Sequence, residues 1–188
     1  MSLFQKSQVS GRTLLLVSAL AVPLLVLAVW FFFFFNRGLA FSNDQFSFKT
    51  PPGWHYLNLE ESGLEKLIVV KVYQNNPDIT FHVSTKLALN SINLADLPKE
   101  LKATFEKEVQ KFEELGIGFQ KIDDQDALRY EYRYQATGSD GKVFLTHQEM
   151  FIVQVGAQVF YLVGQAADAD YKTARPKVSR IINSFRFK

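Results

Sequence analysis

The sequence predicts an α+β fold, an antiparallel sheet of about six or seven strands flanked by helices, preceded by one N-terminal transmembrane helix. Three observations lead to this prediction. Residues 13–35 contain no charge and end in Trp30 and five consecutive phenylalanines. Residues 97–115 place apolar side chains at helical spacing, opposite a charged face. Residues 117–165 contain strand-like stretches joined by short turns, as in an antiparallel meander.

The uncharged run is long enough to cross a bilayer. Its 23 residues would form a helix of about 34 Å, and a hydrocarbon core is about 30 Å thick. A soluble helix of this length would show a polar stripe, and this run has none. We therefore expect a short tail over residues 1–12, a signal-anchor helix in the lipid bilayer over 13–35, a linker over 36–43 and a soluble domain over 44–188.

A cleavable signal peptide is the alternative interpretation of the N-terminus. Gly38, Leu39 and Ala40 have the small-x-small form that a signal peptidase accepts, and Lys6 and Arg12 supply a basic leader. The apolar run nevertheless exceeds the usual signal-peptide length of about 7–15 residues. We expect the anchor to be retained, with cleavage after Ala40 left as the alternative.

The charges that flank the apolar run indicate its orientation. The amino terminus, Lys6 and Arg12 precede the run, and Arg37 and Lys49 follow it. This small excess favours a cytoplasmic tail, with the domain in the periplasm, the thylakoid lumen or the cell exterior. The absence of cysteine neither requires nor excludes an oxidising compartment.

The 148 residues from 41 to 188 have the size of one domain with its own core. This part of the chain carries 18 basic and 19 acidic residues, so the net positive charge of the whole chain belongs to the membrane flank. A near-neutral domain without a long basic run gives no electrostatic footprint for nucleic acid.

The first half of the domain contains extended segments. Residues 45–50 alternate and stop at a Pro-Pro-Gly sequence, and residues 54–59 resume as a short extended piece. Residues 67–73 and 79–86 are rich in β-branched and aromatic side chains and flank a turn that contains Asn76 and Pro77. Trp54 is expected to close one end of the sheet, although a tryptophan there could also stack on a ligand.

Residues 97–115 predict the first helix. Asp96 can cap it, Pro98 falls in the first turn, and Gly116 ends it. The apolar stripe contains Leu97, Leu101, Phe105, Val109, Phe112 and Leu115. Phe105 lies in the middle of this stripe and is expected to be its most buried residue.

The second half predicts long hairpins. Residues 128–134 alternate tyrosines on one face with Arg129, Glu131 and Arg133 on the other. Turns at 138–141 and at Gly156 separate this strand from strands over 142–155 and 158–165. A helical region begins near Asp168, and Pro176 is expected to break it into a turn and a second helix.

Three local motifs resemble the PsbP-like fold family, which includes PsbP, DcrB-type and Ran-binding Mog-type proteins. They are the Phe-Ser-Phe-Lys-Thr-Pro-Pro-Gly-Trp segment at 46–54, the strand from Val159 that leads to Tyr171, and the Ile-Ile-Asn-Ser-Phe segment at 181–185. The resemblance covers nearly all of residues 44–188 and implies the fold. Its PsbP members are non-enzymatic photosystem II subunits or assembly factors in the thylakoid lumen, and its DcrB-type members belong to the bacterial envelope. This chain departs from the lipoprotein pattern because it lacks a lipobox cysteine.

Candidate metal ligands are few. The three histidines, His55, His82 and His147, lie on separate segments, and the best metal pair is His147 with Glu149, two residues apart on one strand face. If Tyr132 lay opposite His147, the imidazole would instead bond a tyrosine or stay solvated. The acidic sequence at 123–126 lacks the twelve-residue calcium loop and is expected to be a solvated turn.

Catalytic motifs are absent from the sequence: it contains no Gly-x-Ser-x-Gly elbow, no His-Glu-x-x-His helix and no phosphate loop. We therefore expect a non-enzyme without cofactors. Arg129, Glu131 and Arg133 form the candidate partner-binding face, or a plain solvated strand.

The expected function is a membrane-anchored, extracytoplasmic binding or assembly module for a membrane complex such as a photosystem. The alternative is an envelope domain that senses a small ligand or a metal.

Overall fold

The elements of the domain follow the predicted alternation of strands and helices. The computed structural model describes residues 37–58, 68–138 and 141–188, together with Val26, Leu27 and Trp30. The elements in chain order are β1 (Ala40–Ser42), β2 (Phe46–Lys49), β3 (His55–Tyr56), β4 (Ile68–Gln74), β5 (Ile79–Leu87), α1 (Leu97–Glu108), β6 (Gln110–Ile122), β7 (Gln125–Thr137), β8 (Val143–Val155), β9 (Gln158–Ala167), a 3₁₀ turn (Asp168–Asp170), α2 (Tyr171–Ser184) and β10 (Arg186–Phe187).

Seven of these strands form one antiparallel sheet in the order β3-β4-β5-β9-β8-β7-β6. The described residues therefore confirm the predicted α+β class and the antiparallel sheet. The pairs β4-β5, β6-β7 and β8-β9 are joined by short turns, because such turns bring antiparallel strands together directly. Asp123 and Asp124 both have positive φ and make the tight turn between β6 and β7.

One face of the sheet is closed by α2 and by a second sheet of order β1-β2-β10. Phe46 and Phe48 on β2 stack with Phe185, which follows α2, at ring-centroid distances of 5.1 and 5.9 Å. All three rings are buried, and so is Trp54, as expected from its position after the Pro-Pro-Gly sequence. This face holds the larger core of the domain.

The close approach of α2 to the sheet depends on a glycine in β9. A Cβ atom on Gly164 would lie 2.5 Å from Cγ1 of Val178 on the helix, which is well inside contact distance. Only a residue without a side chain lets the helix backbone settle at this distance.

Pro176 lies inside α2 and does not break it, so the predicted interruption is wrong. The buried residues of the helix lie on both sides of the proline: Tyr171, Ala174, Val178, Ile181 and Ile182. Their burial against the sheet outweighs the one backbone hydrogen bond that proline removes.

The opposite face of the sheet is covered by α1, which has no fully buried residue. Phe105 is half-buried and stacks on Tyr132 at 4.6 Å. The other residues of the predicted stripe are half-buried or exposed as well, so the expectation that Phe105 is the most buried of them stays a prediction. The buried residues on this face belong to the strands and include Leu128, Tyr130 and Ile152.

Helix α1 also ends at Glu108, seven residues before the predicted end. Val109 is extended, Lys111 has a φ of 51°, and β6 begins at Gln110. The residues from 110 onward pair with β7 through a bulged ladder, which satisfies their backbone groups as well as a helix would. Phe112 fits both patterns, because it contributes to the same apolar face from the strand.

The predicted membrane helix lies almost entirely outside the described residues. Within the described part of the chain, no helix is long and apolar enough to cross a membrane. The compact unit that contains the domain begins at Gly38, and β1 lies within the segment predicted to be linker. Hydrogen bonds between Leu39 and Thr50 join this segment to the rest of the domain.

Candidate functional site

Charged side chains converge where β7, β8 and the start of α2 meet. The charged cluster consists of Arg129, Glu131, Arg133, His147, Glu149 and Asp168. Glu131 lies opposite Glu149 and Arg133 opposite His147 in the ladder between the two strands. The two-residue period of each strand points all of these side chains to the face that α2 covers.

Arg129 links the two carboxylates at the inner end of the cluster. Its Nε donates to Glu149 Oε1 and its Nη2 donates to Glu131 Oε2. Burial alone would lower the pKa of Arg129, but the hydrogen bond and charge of Glu149 and the charge of Glu131 outweigh it and raise that pKa. The guanidinium group therefore stays charged between its two partners.

His147 joins the inner end of the cluster to its outer end. Its Nε2 lies 2.9 Å from Glu131 Oε1, and its Nδ1 lies 3.1 Å from Asp168 Oδ1. Arg133 continues the chain of contacts, because it reaches Asp168 at 3.4 Å and Glu113 of β6 at 2.7 Å. The cluster is thus a continuous alternation of acidic and basic groups.

Tyr171, the first residue of α2, covers the cluster. Its ring stacks on His147 with a centroid distance of 3.4 Å and an interplanar angle of 6°. Burial, followed by the charge of Glu149, raises the pKa of Tyr171 and keeps its hydroxyl group protonated. Glu149 is only 2% exposed, and its Oε2 makes no hydrogen bond within the described residues.

The structure brings together residues that the sequence assigned to two separate sites. The metal pair His147 and Glu149 and the partner face of Arg129, Glu131 and Arg133 belong to one cluster. Arg129 and Glu131 are largely covered, and Arg133 is the most exposed of the three. Tyr132 lies opposite Gln148, so the possible tyrosine partner opposite His147 is replaced by Arg133.

Asp168, Tyr171 and Glu113 were not assigned to a site from the sequence. Asp168 and Tyr171 belong to the C-terminal helical region, and Glu113 belongs to a segment that was predicted to be helix. Residues 129–133 and 147–149 lie at matching distances from the predicted turn at 138–141, so a hairpin places them opposite each other. This spacing was the sequence signal that could have joined the two predicted sites.

The geometry of the cluster favours ion pairing over metal binding. Both ring nitrogens of His147 already face carboxylates, and the guanidinium group of Arg129 forms an ion pair with Glu149. In the described part of the chain, no group of three or more His, Cys, Asp or Glu side chains is arranged to hold a metal ion. A cation at Glu149 would have to displace Arg129.

His82 lies outside the cluster, on β5 opposite Lys71 of β4. Burial, helped by the charge of Lys71, lowers the pKa of His82 to about 4, and its Nδ1 is buried without a hydrogen-bond partner in the described residues. The folded state therefore holds this imidazole neutral at a pH where the unfolded chain binds a proton.

We expect the free energy of unfolding to fall as the pH drops from about 6.5 to 4, because protons then bind the unfolded state preferentially. The contribution of His82 reaches at most about 3 kcal/mol, from about 1.4 kcal/mol per pKa unit. Urea melts of the wild type and of His82→Gln across this range measure it. Parallel pH profiles of the two proteins would contradict the assignment.

Exposed apolar side chains lie in groups at the start of β8 and along β6. Val143, Phe144 and Leu145, consecutive residues at the start of β8, are all exposed, and Phe144 lines a cavity of about 350 Å³ with Asp78 and Thr146. Leu115, Ile117 and Phe119 on β6 are also exposed. A second cavity, of about 420 Å³, lies beside α1.

Neither a protein-family model nor a curated protein matches this sequence. Solved structures do match its fold. The solution structure of cyanobacterial PsbP (CyanoP) from Synechocystis sp. PCC 6803 is 16% identical with a TM-score of 0.60, and the match covers 81% of this chain and 94% of that protein.

Two further solved structures share the fold. LpqN of Mycobacterium tuberculosis, described as involved in cell envelope biogenesis, is 14% identical with a TM-score of 0.54 over 80% of this chain and 85% of LpqN. The Ran-binding protein Mog1p of Saccharomyces cerevisiae is 9% identical with a TM-score of 0.53 over 80% of this chain and 94% of Mog1p. Identities this low establish the fold alone, and at that level the resemblance inferred from the sequence is confirmed.

Proposed function

We propose that this chain, whose domain has the PsbP-like fold, is a non-enzymatic binding or assembly module. Residues 13–35 anchor it in a membrane, and the domain lies on the extracytoplasmic side. The charged cluster is the observation that supports a non-catalytic role. The groups best suited to acid–base chemistry form ion pairs and hydrogen bonds with one another there.

A general acid or base needs a free position that faces its substrate. His147 has both ring nitrogens engaged and one ring face covered by Tyr171. Glu149 is buried beside Arg129. These contacts are those of a structural unit that fixes the start of α2 against β7 and β8.

The tip of the hairpin formed by β7 and β8 is the surface best suited to a protein partner. Val143, Phe144 and Leu145 are exposed in succession, so apolar side chains point to both sides of the strand. Contiguous exposed apolar side chains typically mark interaction sites. The adjoining cavity beside Phe144 would accept an anchoring side chain of the partner.

The start of the domain supports retention of the anchor. The Leu39 amide donates to Thr50 Oγ1 at 2.9 Å, the Thr50 amide donates to the Leu39 carbonyl at 2.8 Å, and Ala40 pairs with Lys49. Cleavage after Ala40 would remove Leu39 and Ala40, and with them these contacts, from the mature domain. Membrane complexes such as a photosystem are candidate partners, given the fold shared with cyanobacterial PsbP.

A photo-crosslinking residue at position 144 of the full-length chain should capture a membrane protein in the native membrane. The matched control is position 172, an exposed lysine on α2. Equal capture at the two positions would contradict the proposed surface.

The retained anchor has its own test. Mass measurement of the purified protein should find residues 1–40 still attached, and a mature terminus at Phe41 would contradict the anchor.

The second candidate function is an envelope sensor of a small apolar ligand. The cavity beside α1 favours it, because Leu101, Phe105, Met150 and Tyr161 line about 420 Å³ of mostly apolar space. Calorimetry of the full-length protein against apolar envelope metabolites tests it. Leu101→Arg, which places a charge in the cavity, should abolish any specific binding heat.

A further inference from the structure

The cavity beside α1 has mostly apolar walls. Leu101 and Phe105 line it from the helix, Met150 lines it from β8 and the ring of Tyr161 lines it from β9. Met150 is 5% exposed, whereas Leu101 and Phe105 are only half-buried. A ligand in the cavity would therefore remove apolar surface of α1 from water, and such burial favours binding.

The size of the cavity favours a slender ligand. Its volume of about 420 Å³ lies near the lower end of the range of about 300–1,000 Å³ that ligand pockets span. This space suits one hydrocarbon chain better than the two chains of a membrane phospholipid.

One edge of the cavity is polar. Ser84 and Lys86 of β5 line it, and the two-residue period of the strand places them on the same face of the sheet as Tyr161, which lies opposite Ser84 in the ladder. Ser84 is half-buried and Lys86 is exposed, so the positive charge lies at the open side of the cavity. Burial raises the pKa of Tyr161, so its hydroxyl group keeps its proton. This edge therefore offers an ammonium group and hydroxyl groups beside apolar walls.

The domain itself makes no use of these donors. Among the residues that the structure describes, no carboxylate lies within ion-pair distance of Lys86, and the hydroxyl groups of Ser84 and Tyr161 have no hydrogen-bond partner. Lys121, by contrast, pairs with Asp126 at 3.0 Å. A ligand that carries acceptor oxygens could satisfy all three groups at once, and a carboxylate presents two oxygens that only accept.

The charge at this edge favours a carboxylate over a phosphate. Lys86 is the one charged residue that lines the cavity, and it matches a single negative charge. A phosphate monoester carries about 1.5 to 2 negative charges, which one lysine leaves partly unbalanced. Unbalanced charge beside an apolar wall is costly, because the wall displaces the water that would solvate it.

We propose that the cavity beside α1 binds an ionised fatty acid, with the acyl chain among Leu101, Phe105 and Met150 and the carboxylate at Lys86. This inference rests on the second candidate function, the sensor of a small apolar ligand, and names the chemical class of that ligand. Helix α1 is suited to admit the chain, because none of its residues is fully buried and its side chains can shift without opening the larger core.

The methionine content of the chain allows a direct test. Met1 and Met150 are its two methionines, and Met150 lines the cavity. Full-length protein with ¹³C-labelled methionine methyl groups is placed in phosphatidylcholine nanodiscs and titrated with octanoate. The methyl signal of Met150 should shift and saturate. Hexanoate should bind about tenfold more weakly, because two fewer methylene groups leave water.

Variants of Lys86 test the position of the carboxylate. Lys86→Gln should weaken octanoate binding about fivefold, the upper end for a partly exposed ion pair, and leave the binding of neutral octan-1-ol unchanged. Lys86→Glu should reverse the preference of the wild type, so that octylammonium binds better than octanoate. Lys172→Gln on α2 removes the same charge from an exposed position outside the cavity and should change neither affinity.

The possible failures separate the two levels of the proposal. If octanoate and octan-1-ol both shift Met150 and Lys86→Gln affects neither, the cavity is a site for apolar ligands and the fatty-acid proposal is wrong. Equal weakening by Lys86→Gln and Lys172→Gln would likewise overturn it, since the attraction would then come from the overall charge. A Met150 signal that none of these probes shifts would overturn the second candidate function as well.

Discussion

Replacing Arg129 with alanine is expected to destabilise the domain by about 3–5 kcal/mol, the usual cost of removing one partner from a buried ion pair. The variant leaves Glu149, which is 2% exposed, with only a 4.0 Å contact to Arg175 in a site that Tyr171 closes. Urea unfolding of the full-length protein in detergent, followed by circular dichroism of the domain, measures the loss.

The double variant Arg129→Met/Glu149→Leu separates pairing from packing. It removes both charges and keeps apolar volume, so it should be considerably more stable than Arg129→Ala alone. Lys172→Ala, on an exposed position of α2, should change stability by less than about 0.5 kcal/mol. If Arg129→Ala were as stable as Lys172→Ala, the charged cluster would contribute nothing to the fold.

Phe46→Ala should also cost about 3–5 kcal/mol, because it removes a fully buried ring from the larger core. Its ring stacks on Phe185 and makes an edge contact with Phe160, so the cavity would be bounded by rings from the end of α2 and from β9. Thermal and urea melts of the full-length chain give the value.

The matched comparison is Phe105→Ala on α1. The half-buried ring of Phe105 contacts Tyr132 and Phe112 at the surface of the second core, and its loss should cost only about 1–2 kcal/mol. Lys107→Ala on the exposed side of α1 should cost less than about 0.5 kcal/mol. Equal losses for Phe46→Ala and Phe105→Ala would show that the two cores are equally closed.

Local sequence signals identified most strands of the domain. Glycine at 156 marked the turn between β8 and β9, and the alternation of tyrosine with charge marked β7. These features are set by neighbouring residues in the chain, through turn geometry and the two-residue period. Of the small sheet, the sequence predicted only β2, within the extended segment 45–50. Strands β1 and β10 were not predicted, because they come from opposite ends of the domain and are only three and two residues long.

The end of α1 and the continuity of α2 depended on tertiary structure. Residues 109–115 carry apolar positions that fit a helix as well as a strand, and only the pairing with β7 selects the strand. Pro176 is tolerated because both halves of α2 pack on the same sheet face.

The charged cluster was predicted in pieces for a related reason. Each strand showed its own charged face, but ion pairs between them require the register of β7 and β8 and the position of α2.

The unequal covering of the two sheet faces has a consequence for hydrogen exchange. Helix α2 lies against the sheet with five buried residues, whereas α1 has none. The amides of α1 should therefore exchange through local opening at a small fraction of the global unfolding free energy, while those of α2 and β9 exchange only when the whole domain unfolds. The domain would then open on the α1 side first, with the seven-stranded sheet and its larger core still intact.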